Sequence, residues 1–142
     1  MLRVASVILI ITMVFSGLYA ILLIVSPQTI AESTLLARTG KTGETVQEPD
    51  VYEALVIQTR HLGIMALATC IALFFILFVG FSKGEQWAWW AFLIIGLIVW
   101  GYGLAMQISE GDQLNGILHS IGIILLLLGV FLPVKIFFAK KS

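Results

Sequence analysis

The sequence predicts an all-α integral membrane protein, an antiparallel bundle of four transmembrane helices with both termini in the cytoplasm. Three observations predict it. Hydrophobic residues make up 60% of the 142 residues, charged residues make up only 11%, and the charged residues lie between long apolar runs. An average soluble domain is about 25% charged. A soluble enzyme, a disordered chain and a basic nucleic-acid-binding protein are therefore nearly excluded, and a single cysteine, Cys70, argues against a disulfide-rich scaffold.

Four runs free of Asp, Glu, Lys and Arg define the predicted spans, and they contain 22, 20, 20 and 19 residues. About 20 residues of helix cross a hydrocarbon core about 30 Å thick. Because the runs are continuously apolar and do not alternate, they favour helices over barrel strands. The uncharged runs are residues 4–25, 62–81, 87–106 and 116–134.

The second helix is expected to begin before its uncharged run, because Asp50 and Glu53 fit a capping box. The predicted architecture is thus one domain, residues 1–142. Its spans lie at about 4–25, 54–81, 87–106 and 116–134, and its outer loop at 26–53.

The first span resembles a signal peptide in having Arg3 before an apolar stretch. A signal h-region has about 7–15 residues and ends in small residues. Here the apolar run continues past Tyr19, and Leu18 is a poor residue for a cleavage site after Ala20. We therefore expect an uncleaved span.

The connections are short except for the first outer one. Ser26 and Pro27 suit the N-cap and first position of a short amphipathic helix reaching Leu36. A polar loop from Thr39 to Gly43 is expected to follow it. Tight turns at residues 82–86 and 107–115, the latter with Gly111, make neighbouring spans antiparallel.

Charge gives the predicted orientation, because basic residues favour the cytoplasmic side of a membrane. The side with both termini carries five basic residues and one acid, a net charge of +4, and the other carries three basic residues and seven acids, a net charge of −4. The inner residues are Arg3, Lys83, Lys135, Lys140, Lys141 and Glu85; the outer ones are Arg38, Lys41, Arg60, Glu32, Glu44, Glu48, Asp50, Glu53, Glu110 and Asp112. We expect a plasma-membrane protein with acidic loops outside. Trp87, Trp89 and Trp90 are expected to form an aromatic belt at the inner interface.

Each span also has a face of small and polar residues, which is how helices associate in lipid. The faces are Met13, Ser16 and Ala20; Thr59, Gly63, Ala66 and Cys70; Gly96, Trp100, Gly103 and Gln107; and Asn115, His119, Gly122, Leu126, Gly129 and Pro133. Spacing alone leaves open whether they pack within the chain or against another subunit.

The candidate binding site is a cluster of His61, His119, Gln107 and Trp100, which share a depth near the outer leaflet. Ionisable residues within a membrane suggest a function. Three interpretations are open. His61 and Arg60 extend to headgroups while His119 bonds across the bundle; the cluster binds a quinone, lipid or other amphiphile; or the histidines bind haem or a metal.

The metal version of this site would add Glu110 or Asp112 as a ligand. No catalytic residue and no metal ligand is otherwise predicted, because CxxC, HExxH, P-loop and dinucleotide motifs are absent. Cys70 has no second cysteine with which to exchange disulfides.

A family resemblance rests on three segments. A short helix from Ser26-Pro27 to Leu36 follows span one, Arg60-His61-Leu62-Gly63 opens span two, and residues 84–90 (GEQWAWW) open span three. This layout resembles the DoxX-like group of small four-span membrane proteins, whose name-giving member is linked to quinone-dependent sulfur oxidation. The resemblance implies a four-helix bundle and favours a quinone-linked or accessory subunit, and it assigns no functional residue.

The predicted function is that of an accessory or scaffold subunit in a membrane complex or a homo-oligomer, without a catalytic activity. Its expected partners are membrane lipids and other membrane subunits, and no nucleic acid. The alternative is a protein that binds quinone, lipid or haem through the outer cluster. A transporter or channel ranks last, because the inner halves of the spans carry few polar residues.

Overall fold

The computed structural model describes residues 1–43, 49–110 and 113–138, with the side chains of residues 110 and 113–115 excepted. Several predicted features lie outside the described residues or side chains: Glu44, Glu48, Glu110, Gly111, Asp112, Asn115, Lys140 and Lys141. Within the described part of the chain there is no strand, and 92% of the residues are helical. This confirms the all-α class.

Seven α-helices occur in the described ranges, together with a π-helical segment and a short 3₁₀ turn. They are α1 (Leu2–Val25), α2 (Pro27–Thr39), α3 (Pro49–Val79), a 3₁₀ turn (Phe81–Lys83), α4 (Gln86–Gly96), the π segment (Leu97–Gly101), α5 (Tyr102–Glu110), α6 (Gln113–Phe131) and α7 (Val134–Phe138). Among the described residues, Leu2–Val25, Pro49–Lys83 and Gln86–Ser109 are long and apolar enough to cross a membrane. Gly116–Phe131 is apolar but shorter. The apolar helices are thus compatible with a membrane bundle.

By their internal contacts the residues divide into two compact units. Unit 1 comprises Met1–Val14 and Ile71–Ser142, and unit 2 comprises Phe15–Cys70. The prediction of one domain spanning residues 1–142 stays a prediction.

In unit 2, α2 begins and ends where backbone chemistry directs. Pro27 occupies the first turn, where its missing N–H costs no helical hydrogen bond. Ser26 precedes it but makes no side-chain capping bond, so its predicted N-cap interaction is absent. The helix continues to Thr39, three residues beyond the prediction, because Gly40 takes the left-handed conformation (φ +69°) and donates its N–H to the carbonyl of Leu36.

The start of α3 differs from the predicted capping box. The helix begins at Pro49, so Asp50 lies in the first turn and is not the N-cap. Proline is well suited to this position, and a carboxylate there still interacts favourably with the helix dipole. With 31 residues, α3 is about 46 Å long at 1.5 Å per residue.

Unit 2 packs on the predicted small-residue face of α3. A Cβ added to Gly63 would lie 2.8 Å from Leu23 Cβ and 2.9 Å from the carbonyl oxygen of Ala20, so only glycine permits this approach to α1. Thr59 and Cys70 on the same face are also buried. The Thr59 hydroxyl donates to the carbonyl of Leu55 at 2.8 Å, which satisfies it within its own helix.

The core of unit 1 contains one of the three tryptophans predicted at the interface. Trp89 is 4% exposed, whereas Trp87 and Trp90 are 51% and 48% exposed. The prediction was therefore wrong for Trp89. Its indole Nε1 donates to the carbonyl of Val130 at 2.9 Å, near the end of α6. The last carbonyls of a helix lack helical partners, and Pro133 prevents α6 from continuing.

The predicted fourth span ends at 134, but α6 stops at Phe131 and α7 begins at Val134. The short α7 packs back on the start of α4. The side-chain amide of Gln86 donates to the carbonyl of Phe137 at 2.9 Å, and the rings of Phe81 and Phe137 lie 4.8 Å apart. These contacts fix the end of unit 1 that carries Lys83 and Lys135.

Candidate functional site

Three of the four predicted site residues lie in unit 1. Trp100 lies in the π segment, Gln107 in α5 and His119 in α6, and all three side chains are half-buried. His61 belongs to α3 in unit 2, where its side chain and that of Arg60 are exposed. The structure therefore brings Trp100 and His119 into contact, and the four-residue binding cluster stays a prediction.

Trp100, Gln107 and His119 lie in the packing interface between α6 and the helix of residues 86–110, which consists of α4, the π segment and α5. Glycines on each of these helices face side chains on the other. The pairs are Gly96 with Leu126, Gly122 with Trp100, Gly103 with His119, and Gly116 with Gln107. Numbers rise along one helix as they fall along the other, so the two helices are antiparallel. The predicted faces are confirmed here, and they pack within the chain.

At the centre of this packing interface, two glycines each contact an aromatic ring of the other helix. A Cβ added to Gly103 would meet the His119 imidazole, and one added to Gly122 would meet the Trp100 indole, each at less than 3.0 Å. The two rings contact each other edge to face, with centroids 5.6 Å apart and planes at 64°. Such a pair contributes about 0.5–1.5 kcal/mol beyond the area that it buries.

Trp100 belongs to the π segment and packs in this interface. The N–H of Tyr102 donates to the carbonyl of Leu97, five residues earlier, instead of to the usual fourth. π-bulges are rare and are frequent at functional sites. The spacing of Gly96, Trp100 and Gly103 is compatible with an ordinary α-helix, so nothing in the sequence predicted this irregularity.

The orientation of His119 decides what the cluster can bind. The ring edge with Cδ2 and Nε2 lies against Gly103, since these are the atoms nearest to a Cβ built there. A haem iron or metal ion at Nε2 would need the space that α5 occupies. The arrangement therefore does not fit a haem bound through this nitrogen.

Metal binding finds no support elsewhere in the described residues, which contain no group of three His, Cys, Asp or Glu side chains able to hold an ion. Gln107 is half-buried, and its Cβ makes ordinary contact distance, 3.9 Å, with the position a Cβ would take on Gly116. The polar cluster is thus used in helix packing, and the structure assigns it no reaction.

Two further polar contacts were not predicted, and both lie at the other end of unit 1. They are the bonds from Trp89 to Val130 and from Gln86 to Phe137. A signal for Trp89 was present: continuing the face of Gly96 and Trp100 backwards by four and three residues reaches Phe92 and Trp89, and both are buried.

The comparisons with protein-family models, curated proteins and solved structures found no match to this chain. The likeness to the DoxX-like group therefore stays a prediction.

Proposed function

We propose that the chain is a small accessory or scaffold subunit of a membrane complex or a homo-oligomer. It crosses a plasma membrane four times as an antiparallel bundle, with both termini in the cytoplasm and the acidic loops outside. It contributes helix surface to an assembly and carries no catalytic centre.

Four crossings are supported by length and by charge. The three longer apolar helices meet the length of a bilayer core. The 19 residues of α6 extend about 28 Å, close to the core thickness of about 30 Å. With four crossings, the basic residues accumulate on the side of the termini, as the positive-inside rule requires.

One observation carries the scaffold proposal: α1 leaves a continuous aliphatic stripe exposed along its whole length. The stripe consists of seven residues at alternating spacings of three and four, each between 46% and 72% exposed. They are Val4, Val7, Ile11, Val14, Leu18, Ile21 and Val25. A mean spacing of 3.5 residues is the repeat by which helices pack side by side in left-handed pairs, in membranes as in coiled coils.

The interior of unit 1 supports a structural role over a catalytic one. His119 and Trp100 are the best candidates for chemistry. Their rings occupy the space that side chains at Gly103 and Gly122 would need. Every buried side-chain nitrogen and oxygen in the described residues has a hydrogen-bond partner. Polar groups held in this way stabilise a bundle and are not free to act on a substrate.

The test is photocrosslinking in native membranes followed by purification in mild detergent. A photoreactive amino acid at Ile11, on the stripe, should give a protein adduct, either a dimer of this chain or a complex with another subunit. The matched position is Phe75 on α3, which is 68% exposed but not on the stripe, and it should yield lipid adducts alone. A protein that purifies as a monomer, with nothing bound and no adduct at position 11, would contradict the proposal.

A further inference from the structure

We propose that the inner end of unit 1 is a binding site for an anionic phospholipid of the surrounding bilayer. The inference rests on the proposed membrane crossing and goes beyond it. Its parts are an apolar groove on α6 for an acyl chain and a group of cations for the phosphate.

The groove runs along the exposed face of α6. It has a volume of about 320 Å³ and is lined by Ile124, Leu127, Leu128, Phe131 and Leu132. The lining side chains cover eight residue steps, or about 12 Å of helix. The volume is at the lower end of the range for small-molecule sites, about 300–1,000 Å³. A site of this size and polarity suits part of a hydrocarbon chain.

A cation follows the groove at its inner end. Lys135 comes three residues after Leu132, as the second residue of α7, and its side chain is exposed. Lys83 belongs to the same end, because Gly84 approaches the side chain of Ile136, with 3.7 Å between its Cβ position and Ile136 Cγ2.

A third cation comes from the first turn of α1. Arg3 is exposed, and the neighbouring Leu2 packs against the core of unit 1. The carbonyl of Ala5 is 3.6 Å from the Cβ position of Gly129 on α6. The three cations are opposed by one acid, Glu85.

Exposed aromatic rings complete the site. Trp90 stacks edge to face on Phe138 with centroids 6.2 Å apart, and both rings remain more than 40% exposed. Phe131, at the inner end of the groove, is 48% exposed. The amphipathic indole of Trp90 prefers the headgroup level of a membrane. It places the cations of this end at the depth of lipid phosphates.

Charge selects the lipid over another occupant. Basic pockets between helices on the cytoplasmic side are suited to anionic headgroups. A second copy of this chain in the same membrane has the same orientation, so it would bring Lys135 beside Lys135, and like charges that face each other disfavour association. An anionic phospholipid satisfies both the groove and the cations.

The experiment uses the full chain reconstituted in vesicles of equimolar phosphatidylglycerol and phosphatidylcholine, followed by native mass spectrometry of the protein with its retained lipids. We expect phosphatidylglycerol to be retained in excess. Lys135→Gln should reduce the excess about fivefold, the effect typical of one cation at a membrane surface. Lys41→Gln, the same change in the polar loop of unit 2, should leave it unchanged.

A second pair of variants tests the groove without changing charge. Leu128→Trp fills it and should reduce retention of both lipids, whereas Ile117→Trp, on the same exposed face but outside the groove, should not. Equal retention of the two lipids by the unaltered chain, or equal losses in Lys135→Gln and Lys41→Gln, would overturn the lipid site.

The outcomes separate this inference from the proposed function. A chain that does not insert into vesicles would overturn both. A chain that inserts, crosslinks at Ile11 and shows no lipid preference would overturn the lipid site alone. A change of oligomeric mass in Leu128→Trp, with no lipid effect, would assign the groove to a protein partner and so also overturn it.

Discussion

Gly103 and Gly122 matter because of the side chains that they admit. Each lies opposite a ring of the neighbouring helix, and a single added methyl group would overlap His119 or Trp100. Close approach of backbones is the means by which membrane helices gain packing energy, since lipid provides no hydrophobic drive between them. At the residue scale, the stability of unit 1 should therefore be sensitive to volume at these positions.

Gly122→Ala is expected to lower the free energy of unfolding by about 1–3 kcal/mol, the usual cost of overpacking. The matched control is Gly17→Ala in α1, where no neighbouring atom lies within 4 Å of the Cβ position. That change should be neutral or stabilising by up to about 1 kcal/mol, because alanine is the better helix former. The measurement is SDS-induced unfolding in mixed micelles. Equal effects of the two changes would show that the Trp100 ring does not occupy the space beside Gly122.

Trp89→Phe should also destabilise unit 1, and by a different mechanism. The variant keeps an aromatic ring but leaves the carbonyl of Val130 without its donor, and a buried unpaired group costs about 1–3 kcal/mol. Trp90→Phe is the comparison, because that ring is 48% exposed and should cost less. The same unfolding assay measures both. If the exposed position proved the more sensitive, the hydrogen bond would not be the cause.

At the scale of elements, the π segment is the clearest departure from regular helix. It accommodates one residue more in its turn than an α-helix does, so α4 and α5 are arranged as in a regular helix that is one residue shorter. Gly96 and Gly103, which lie on either side of it, both face α6. The irregularity is absorbed within Leu97–Gly101.

Deletions can test this interpretation. Removing Val99 from the π segment should leave a regular α-helix with its two flanks in register, and much of the stability should remain. Removing Ile94 from α4 should turn Trp89 and Phe92 away from the core by about 100° and cost several times more. Both deleted residues are exposed aliphatic side chains. The midpoint of SDS unfolding and the near-ultraviolet circular dichroism of the tryptophans provide the measurement, and a more damaging loss of Val99 would contradict the model of a local insertion.

The elements that sequence predicts well are those defined by long apolar runs. The long apolar helices follow from the charges that flank them, and the facing glycines follow from spacings of three and four. The end of α6 was missed because the apolar run continues past Phe131 to Val134. The burial of Trp89 was indicated by spacings of three and four residues, but its bond to Val130 was not, because the end of α6 releases that carbonyl. The orientation of His119 likewise could not be predicted from the sequence pattern, since it depends on the space that Gly103 leaves on another helix.

At the scale of the whole molecule, the net charge is zero, but the basic and acidic residues are concentrated in different segments of the chain. Five basic residues lie in the segments assigned to the cytoplasm and three in those assigned to the outside. Basic residues near span ends determine orientation more than acidic ones do. The same inner cations are those proposed to bind anionic lipid, so one feature of the sequence would serve both insertion and lipid contact.

The orientation can be measured with Lys41→Cys in a Cys70→Ala background, because Lys41 is exposed in the polar loop. A membrane-impermeant maleimide should label this cysteine in intact cells. Adding Arg3→Gln, Lys83→Gln and Lys135→Gln leaves two basic residues on each side, and labelling should fall toward that of an even mixture of orientations.

The control for this experiment is Arg38→Gln in the same background, which removes a basic residue from the outer side and should preserve full labelling. Labelling that requires permeabilised cells would reverse the proposed orientation. Labelling that stays complete in the triple variant would mean that the apolar helices fix the topology without the charge bias. The two results contradict different parts of the argument, because the first concerns which side is outside and the second concerns what determines it.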